Sequence, residues 1–451
     1  MNVLWITYAP IGKNAEVLHG IQKQGGSWVD ASAACLLKEC PDLSLTILAV
    51  GSGDKEGTDP ETGIRYAEYS GVQKCRGARK KDDTEKWTEV LKKYPCELIE
   101  LFGTEFSNGL DIVEAADGLG IPVVIYMQGV VSSFIGHEFG HFSRRELNRG
   151  ASVLDRFKAL RYRKDYLDYV RQAPFEREMV AKSRGVIVDN RWCVKSLGLQ
   201  PDDPKVLRQN LPVSGTFLSG RWEAGAAERH SVFTVAGRTP YKGLHILLKA
   251  LLTVREAYPD VKLRIPGQMD SRSALQQPPY VDYIARFIRE NGLEKNIEFL
   301  GRLDSEGMKQ NILRCNAYVM PSCIENHSSS LREAMYLGAP CITSEVGSIT
   351  EMTVNGHNAL TYRYGEHIQL AMDIIEIFRD DALAAELGKN AYTDIRNAYP
   401  QDVIGRQLLE AYRQILSGQP CGGLRRRGTE NSADNPPQEH AERPERTESE
   451  E

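Results

Sequence analysis

Short apolar runs alternate with amphipathic segments along the first half of the chain. The apolar runs are strand-sized, whereas the longer segments repeat apolar residues at helical spacing. Strands are predicted at Asn2–Thr7, Leu43–Val50, Glu97–Phe102, Pro122–Met127 and Val186–Asp189. Helices are predicted at Val29–Cys40, Thr84–Lys93, Leu110–Asp117 and Leu154–Ser183. Strands and helices that alternate in this way indicate a mostly parallel, doubly wound sheet.

The same alternation restarts after residues 211–216. Strands are predicted at Val232–Ala236, Lys262–Ile265, Ile297–Leu300, Tyr318–Pro321 and Pro340–Thr343. Helices are predicted at Leu244–Glu256, Val281–Glu290, Glu306–Arg314, Ser330–Tyr336, Ile368–Phe378, Ala382–Ala391 and Val403–Leu416. The sequence therefore predicts an α/β protein with two Rossmann-like domains that meet near residue 215. Twin domains of this kind hold a ligand in the cleft between them, at the carboxyl ends of the strands.

Composition is ordinary for a globular protein, except in the C-terminal tail. The 451 residues are 41% hydrophobic and 26% charged, with a net charge of −5. Residues 421–451 hold eight acidic residues and five arginines but few apolar residues. Such a segment cannot bury enough apolar surface to offset its chain entropy, so we expect residues 419–451 to be disordered. The remainder is nearly neutral, which excludes a strongly basic nucleic-acid-binding protein.

Targeting signals are not evident in the sequence. No apolar run approaches the 18 residues of a transmembrane helix, and the N-terminus has neither a basic region nor a cleavage site. The nine cysteines include no CxxC pair and are typical of reduced cytosolic thiols. We therefore expect a cytoplasmic protein, or one bound peripherally to the inner face of a membrane. The basic and aromatic stretch 155–183 fits such a membrane contact, or alternatively a solvated helix pair.

A glycine turn with two basic residues follows the predicted strand Val232–Ala236. The turn reads GRTPYKG at residues 237–243 and brings Arg238 and Lys242 to the mouth of the cleft. An arginine fork matches phosphate oxygens, and a lysine supplies a compact charge. The pair could neutralise a departing diphosphate, or the turn could be a solvated basic loop.

A second group of polar residues lies at 321–340, PSCIENHSSSLREAMYLGAP. Glu325 follows a predicted strand, and Glu333 lies eight residues later in the next helix. Residues 328–330 are serines at the predicted helix N-terminus, whose free N–H groups favour phosphate. The carboxylates could accept hydrogen bonds from sugar and ribose hydroxyls. Alternatively, Ser330 and Glu333 form a capping box, and Glu333 only satisfies a backbone N–H.

Together, these two groups resemble the retaining GT-B glycosyltransferases of family 4, the glycosyl transferases group 1. The resemblance extends to the glycine loop before Trp28, the hinge-like RQNLP at 208–212, NIEFLGR at 296–302, and residues 346–360. It implies an acceptor-binding domain at 1–215, a nucleotide-sugar domain at 216–399, and a helix within 400–418 that returns to the first domain. The implied activity is a metal-independent, retaining hexosyl transfer from a UDP- or GDP-linked sugar to a hydroxyl acceptor in surface polysaccharide or glycan assembly. No cofactor is expected.

The resemblance also implies roles for individual residues. Arg238, Lys242 and Glu325 would be catalytic: the two cations would stabilise the leaving diphosphate, and Glu325 would support the donor sugar. Glu333 would hold the ribose. The other implied donor-binding residues are Gly25, Gly26, Gly237, Gly301, Arg302, His327, Ser328, Ser329 and Ser330. The implied partners are the donor and a glycan or lipid-linked acceptor.

The acceptor side departs from the family pattern. Where the family often has a histidine after the strand PVVIYM, this chain has Gln128, which cannot titrate. A retaining displacement in which the leaving phosphate takes the acceptor proton needs no such base. We take Gln128 and His137 as acceptor-side candidates.

One motif favours a different class of enzyme. Residues 137–141, HEFGH, match the zinc-protease signature, in which two histidines share a helical face and the glutamate acts as base. The signature needs a helix, yet glycines flank and interrupt it. A zinc hydrolase with a third ligand such as Glu176 or Glu178 is therefore an alternative hypothesis, as is a non-catalytic nucleotide-sugar binder.

Overall fold

The computed structural model describes residues 1–21, 27–72, 75–77, 82–148, 160–268 and 278–418. The predicted tail at 419–451 and the glycines Gly25 and Gly26 lie outside these ranges. The strands are β1 Asn2–Thr7, β2 Ser44–Val50, β3 Lys55–Thr58, β4 Arg65–Tyr69, β5 Leu98–Phe102, β6 Val123–Tyr126, β7 Gly185–Val188, β8 Val206–Arg208, β9 Glu228–Phe233, β10 Lys262–Ile265, β11 Ile297–Phe299, β12 Cys315–Met320, β13 Cys341–Ser344 and β14 Leu360–Tyr362.

The helices follow the strands in regular alternation. They are α1 Lys13–His19, α2 Ser27–Glu39, α3 Thr84–Lys93, α4 Gly109–Gly118, α5 Val131–Phe134, α6 Arg144–Asn148, α7 Leu160–Lys182, α8 Arg191–Ser196, α9 Leu244–Ala257, α10 Pro279–Glu290, α11 Ser305–Arg314, α12 Ser329–Leu337, α13 His367–Arg379, α14 Asp381–Ala398 and α15 Ile404–Ser417. No helix in the ranges given above has the length and apolar character needed to cross a membrane.

Two parallel sheets organise the described chain. The first has the order β3-β4-β2-β1-β5-β6-β7-β8 and is parallel except for β3. The second has the order β11-β10-β9-β12-β13-β14 and is parallel throughout. The connections change direction between β1 and β5 in the first sheet and between β9 and β12 in the second. At such switch points the loops after adjacent strands diverge and leave a crevice for a ligand.

The last helix, α15, returns to the first sheet, as predicted. Its Tyr412 is fully buried and accepts a hydrogen bond from Trp5 Nε1 at 2.7 Å. The Tyr412 hydroxyl also donates to Glu100 on β5. Burial raises the pKa of Glu100 to about 8, although the hydroxyl of Tyr412 opposes this shift. Helix α15, the last described element, therefore packs into the core of the first domain.

The predicted strands and helices mostly match, but two strands are shifted and several were not predicted. The predicted strand Tyr318–Pro321 begins three residues late, since β12 runs from Cys315 to Met320. The predicted strand Val232–Ala236 is wrong at both ends, since β9 runs from Glu228 to Phe233. Ala236 is buried, but residues 234–237 leave the sheet and form the loop toward the cleft. Strands β3, β4, β8 and β14 were not predicted because they are short or rich in charged residues.

Candidate functional site

Two loops meet at the switch point of the second sheet, where β9 and β12 are neighbours. The loop after β9 carries Lys242, and the loop after β12 carries Glu325. Lys242 Nζ lies 2.6 Å from Glu325 Oε1, although 83 residues separate them in the chain. The structure therefore joins the two groups of residues that the sequence predicted to act together.

A glycine allows these loops to approach each other. Gly243 follows Lys242 with φ of 72°, in the left-handed region that favours glycine. A Cβ atom at this position would lie 1.7 Å from the carbonyl oxygen of Pro321. Cys323 N also donates to Tyr241 O at 2.8 Å, which ties the same loops together. The position of Lys242 is thus set by the backbone on both sides of the crevice.

The loop after β9 brings two basic side chains, Arg238 and Lys242, to this crevice. Burial disfavours the Lys242 ammonium, but the carboxylate of Glu325 outweighs that effect and raises the pKa of Lys242. Lys242 therefore stays protonated near neutral pH. Arg238, on the same loop, is partly exposed and donates from Nη1 to Gln268 O at 3.0 Å. The loop presents two cations, which is the chemistry that diphosphate oxygens require.

Glu333 lies one helical turn inside α12. This helix begins at Ser329, and Ser328 before it has φ of 38° and makes no side-chain capping bond. The capping-box alternative required Ser330 before the helix, so it does not describe this terminus. Burial raises the pKa of Glu333 to about 8. A carboxyl group in this setting can accept hydrogen bonds from a pair of neighbouring hydroxyls.

Replacing Glu333 with glutamine is expected to stabilise the protein at pH 8 more than at pH 5. Between its ordinary pKa of 4.5 and about 8, the folded carboxyl holds a proton that the unfolded chain releases. The stability cost therefore grows as pH rises and reaches a few kcal/mol at pH 8, and glutamine removes it. Thermal unfolding at both pH values measures the effect. Glu386→Gln, on the exposed face of α14, is the control, and an equal shift in both variants would contradict the prediction.

His327 bridges the two domains. It is buried; its Nδ1 lies 2.7 Å from Asp189 Oδ1, and its Nε2 donates to Met127 O. Burial opposes the imidazolium, but Asp189 outweighs it and raises the pKa of His327. Both ring nitrogens thus face protein atoms of the first domain. The expected donor contact of His327 stays a prediction. In this structure, the residue bridges the two domains.

Asp189 is the centre of this bridge, and it was not singled out from the sequence. Its second oxygen accepts from Arg332 Nη2 at 2.8 Å, and both side chains are 1% exposed. The Arg332 guanidinium also lies 4.1 Å from the centre of the Tyr399 ring. Burial opposes the Asp189 carboxylate, yet His327 and Arg332 outweigh it and hold its pKa far below the ordinary range. A buried, paired charge cluster therefore lies directly beneath the loop of Glu325.

Further hydrogen bonds between the domains surround that loop. Asn190 Nδ2 donates to Asn326 O at 3.1 Å, and Asn326 Nδ2 donates to Gln128 O at 3.0 Å. Glu351 of the second domain accepts from Arg191 N at 2.9 Å and Trp192 N at 2.6 Å. It thereby supplies a carboxylate to the N-terminus of α8 in the first domain. Of these partners, the sequence had identified only Gln128.

The remaining predicted donor residues are placed around the same sheet edge. Ser328 is buried with its Oγ 2.6 Å from Met320 Sδ, whereas Ser329 is exposed and Ser330 is partly buried at the start of α12. Gly237 follows β9. Gly301 and Arg302 follow β11, two strands away from β9, and Arg302 is exposed. The donor-binding roles of these residues stay predictions.

The HEFGH segment does not form the helix that a zinc site needs. Residues 135–141 are turns, and His141 has φ of 55°. Glu138 Oε2 accepts from Gly136 N at 2.8 Å, while Glu176 accepts from Thr104 Oγ1, Val131 N and Ser132 N. Among the described residues, no group of three or more histidines, cysteines or carboxylates could hold a metal ion. The structural premise of the zinc hypothesis is therefore wrong.

The same segment instead contacts the second domain. His137 O lies 3.4 Å from Cys323 Sγ, and Tyr364 donates to Gly140 O at 2.6 Å. Phe142 enters the second core, with its ring centre 4.5 Å from that of Tyr283. Residues 135–148 were predicted as part of the first domain, yet they pack against α9 and α10. The candidate His137 thus lies beside the donor loops.

Comparisons with known proteins match the part of the chain that carries these loops. Residues 221–394 match the family of glycosyl transferases group 1. A phosphatidyl-myo-inositol mannosyltransferase from Mycobacterium leprae is 26% identical over 246 residues, 54% of this chain and 62% of that protein. Matches to two other relatives span 48% and 46% of their lengths. The family resemblance is confirmed for residues 221–394, which include Arg238, Lys242, Glu325 and Glu333.

Solved structures of similar fold cover nearly the whole chain. Sucrose-phosphate synthase from Thermosynechococcus elongatus has a TM-score of 0.67 at 16% identity, covering 93% of this chain and 100% of that one. Anabaena HepE in complex with UDP and glucose has a TM-score of 0.63 at 17% identity, covering 92% and 99%. The predicted GT-B architecture is confirmed: two Rossmann-like domains face a cleft, and a C-terminal helix returns to the first.

Proposed function

Since residues 221–394 match the glycosyl transferases group 1 and the chain has the GT-B fold, we propose that this protein is a retaining glycosyltransferase. It moves a hexosyl group from a nucleotide diphosphate sugar to a hydroxyl acceptor. UDP is the first donor nucleotide to test, because the similar HepE structure holds UDP and glucose, and GDP is the second. The phosphatidyl-myo-inositol mannosyltransferase relative supports a lipid-linked acceptor. A glycan acceptor in surface polysaccharide assembly is the alternative that the assays include. Such an acceptor would place the enzyme in the cytoplasm or at the inner face of a membrane.

The observation that carries the proposal is the contact between Lys242 and Glu325. Their 2.6 Å pair lies at the β9–β12 switch point, and the loop that carries Lys242 also presents Arg238. A bound diphosphate would place its negative charge between the Arg238 guanidinium and the Lys242 ammonium. Glu325 would then lie on the sugar side of that charge, and Glu333 on α12 would accept from the ribose hydroxyls.

The proposed reaction is a displacement on one face of the sugar. The bond between the anomeric carbon and the diphosphate oxygen breaks, and both electrons stay with the diphosphate. The acceptor oxygen forms its bond to that carbon from the same face, while its proton passes to the departing phosphate oxygen. Arg238 and Lys242 stabilise the growing negative charge, and the Glu325 carboxylate supports positive charge at the anomeric carbon. Gln128 cannot titrate, and this route asks for no separate base.

Nucleotide diphosphate release is expected to continue at its full rate when EDTA is present. The reason is that Arg238 and Lys242 would supply the charge that a metal would otherwise bring. The experiment incubates purified protein with UDP- and GDP-sugars, with and without chelator, and measures released nucleotide. The donor that raises the unfolding temperature most is used, because a ligand of the folded state stabilises it.

Three results would contradict the proposal. Strict dependence on an added divalent ion would refute the metal-independent role of the two cations. A nucleotide sugar that binds but stays intact with many acceptors would favour the non-catalytic binder. Near-stoichiometric zinc in the purified protein would restore the hydrolase hypothesis.

A further inference from the structure

A cavity of about 340 Å³ lies between the two domains, next to the candidate donor site. The first domain contributes residues 76–77, the loop after β5, Glu138 and one face of α7, and the second contributes residues 238–241 and Pro278. The loops after β5 and β9 both start at a switch point of their sheets. Two switch points therefore open into one space, and Arg238 forms part of its wall.

Gln172 offers this cavity an unused hydrogen-bond acceptor. Its side chain is 2% exposed, and its Nε2 donates to Thr104 O at 2.9 Å. Its Oε1 is buried without a hydrogen-bond partner. Because an unpaired buried acceptor costs free energy, this oxygen indicates a missing donor group in the cavity.

Glu105 adds a carboxyl group that the backbone makes room for. It follows Gly103, which has φ of 88° and lies at the end of β5. A Cβ atom on Gly103 would lie 1.9 Å from Glu105 Oε2, so the carboxyl group occupies the space that a side chain would take. Burial raises the pKa of Glu105 to about 7, and the nearby Glu176 carboxylate adds to this. Glu105 can thus both accept and donate hydrogen bonds near neutral pH.

Aromatic rings supply an apolar wall. Tyr169 of α7 and Tyr241 of the second domain line the cavity, and Phe134 contacts both. Its ring centre lies 5.7 Å from that of Tyr169 and 5.4 Å from that of Tyr241. An aromatic face beside carboxyl and amide oxygens suits a ring with apolar C–H faces and hydroxyls at its edge.

Charge on the described lining argues against a phosphate-bearing ligand. Carboxyl groups outnumber guanidinium groups there, since Glu105, Glu138, Asp165 and Asp168 face only Arg76 and Arg238. Under the proposed function, Arg238 is already engaged by the donor diphosphate. The carboxylates would repel a second phosphate, whereas the hydroxyls of a neutral polyol can donate to the Glu105 carboxyl group and to Gln172 Oε1 without that repulsion.

We propose that this cavity binds the acceptor through an uncharged sugar or cyclitol ring, with Glu105 and Gln172 taking hydrogen bonds from its hydroxyls. The assignment rests on the proposed glycosyl transfer and specifies its acceptor class. One ring hydroxyl attacks the donor carbon, and its proton leaves with the diphosphate oxygen as described above. Glu105 and Gln172 are therefore specificity-determining residues, since a site that pairs with hydroxyls discriminates strongly against ligands that lack them.

The test compares acceptors in pairs and two variants with the wild type. The acceptors are methyl hexopyranosides and myo-inositol, each beside its monophosphate. We expect the wild type to transfer at least tenfold faster, in kcat/KM, to the neutral member. Glu105→Gln and Gln172→Leu are each expected to raise the acceptor KM at least tenfold, with donor KM and acceptor-independent donor hydrolysis within twofold of wild type. Glu178→Gln, on the outer part of α7, is the control and should match the wild type.

Preference for the phosphorylated member, or an unchanged acceptor KM in both variants, would overturn the acceptor assignment while leaving glycosyl transfer intact. If the wild-type protein released no nucleotide from the donor sugar, with or without acceptor, that result would count against the proposed function itself. A binding measurement separates the two: saturation-transfer NMR should detect the neutral glycosides on wild-type protein and not on Gln172→Leu. Circular dichroism establishes that each variant is folded. Equal NMR signals from both proteins would refute the cavity assignment whatever the enzyme assays give.

Discussion

Replacing Lys242 with alanine is expected to lower kcat for sugar transfer about 10²–10³-fold at saturating donor, the range found when one preorganised group that stabilises transition-state charge is lost. The ammonium of Lys242 is fixed by Glu325 at 2.6 Å and by the tight backbone at Gly243. It would therefore meet the departing diphosphate without reorganising. Because this charge matters most as the bond breaks, kcat should fall more than donor affinity does.

A matched control separates the loss of this charge from the loss of any lysine ion pair. Lys182 forms a 2.7 Å pair with Glu114 on the outer surface of the first domain, and its side chain is 41% exposed. Lys182→Ala should retain wild-type activity. Circular dichroism and thermal unfolding establish that both variants are folded. Wild-type turnover in Lys242→Ala would end the catalytic assignment of this residue.

Replacing Asp189 with asparagine is expected to destabilise the protein by about 3–5 kcal/mol, the cost typical of removing one partner from a buried ion pair. Arg332 is fully buried and would keep its charge without the carboxylate that offsets it. The pKa of His327 would fall, because burial would no longer be opposed by Asp189. The contribution of Asp189 is present above its ordinary pKa and is lost as pH falls toward its much lower folded pKa. Thermal and urea unfolding at pH 7 measure the effect.

The control for this variant is an exposed aspartate in an ion pair of the second domain. Asp381 contacts Arg229 at 3.2 Å, and both side chains are more than half exposed. Asp381→Asn should change stability by less than about 1 kcal/mol, as exposed pairs do. If Asp189→Asn were as mild, the buried cluster would not be holding the domains together.

The fold was largely predictable because its strands are buried on both faces. Runs such as Leu43–Val50 and Pro122–Met127 are continuously apolar, and the segments between them repeat at helical spacing. Strands β3 and β4 escaped prediction because KEGT and RYAEY lie toward one edge, where charged residues are tolerated. The run VFTVA at residues 232–236 was wrongly predicted as a strand to its end. Ala236 is buried although it has left the sheet, so its apolar character reflects burial and not strand structure.

The candidate site was only half predictable from sequence. Lys242 and Glu325 stand directly after strands, and parallel strands bring such positions to one edge. Asp189 also follows a strand, but its partner His327 is 138 residues away and in the other domain, so no spacing rule joins them. Glu105 follows Gly103 after β5, a local signal that would have identified it. The partner that Gln172 lacks becomes evident only once the cavity is formed.

The placement of Phe142 limits how the two halves of this molecule can be exchanged. Residues 135–148 belong to the first half by sequence, but Phe142 and Leu147 lie in the second core, and Glu146 pairs with Lys249 at 2.9 Å. A chimera joined near residue 215 would combine a donor domain from another protein with residues 135–148 of this chain, which pack against its own donor domain. Recombination between related chains would therefore have to carry the segment and its donor domain as one unit, even though some seventy residues separate them in the gene.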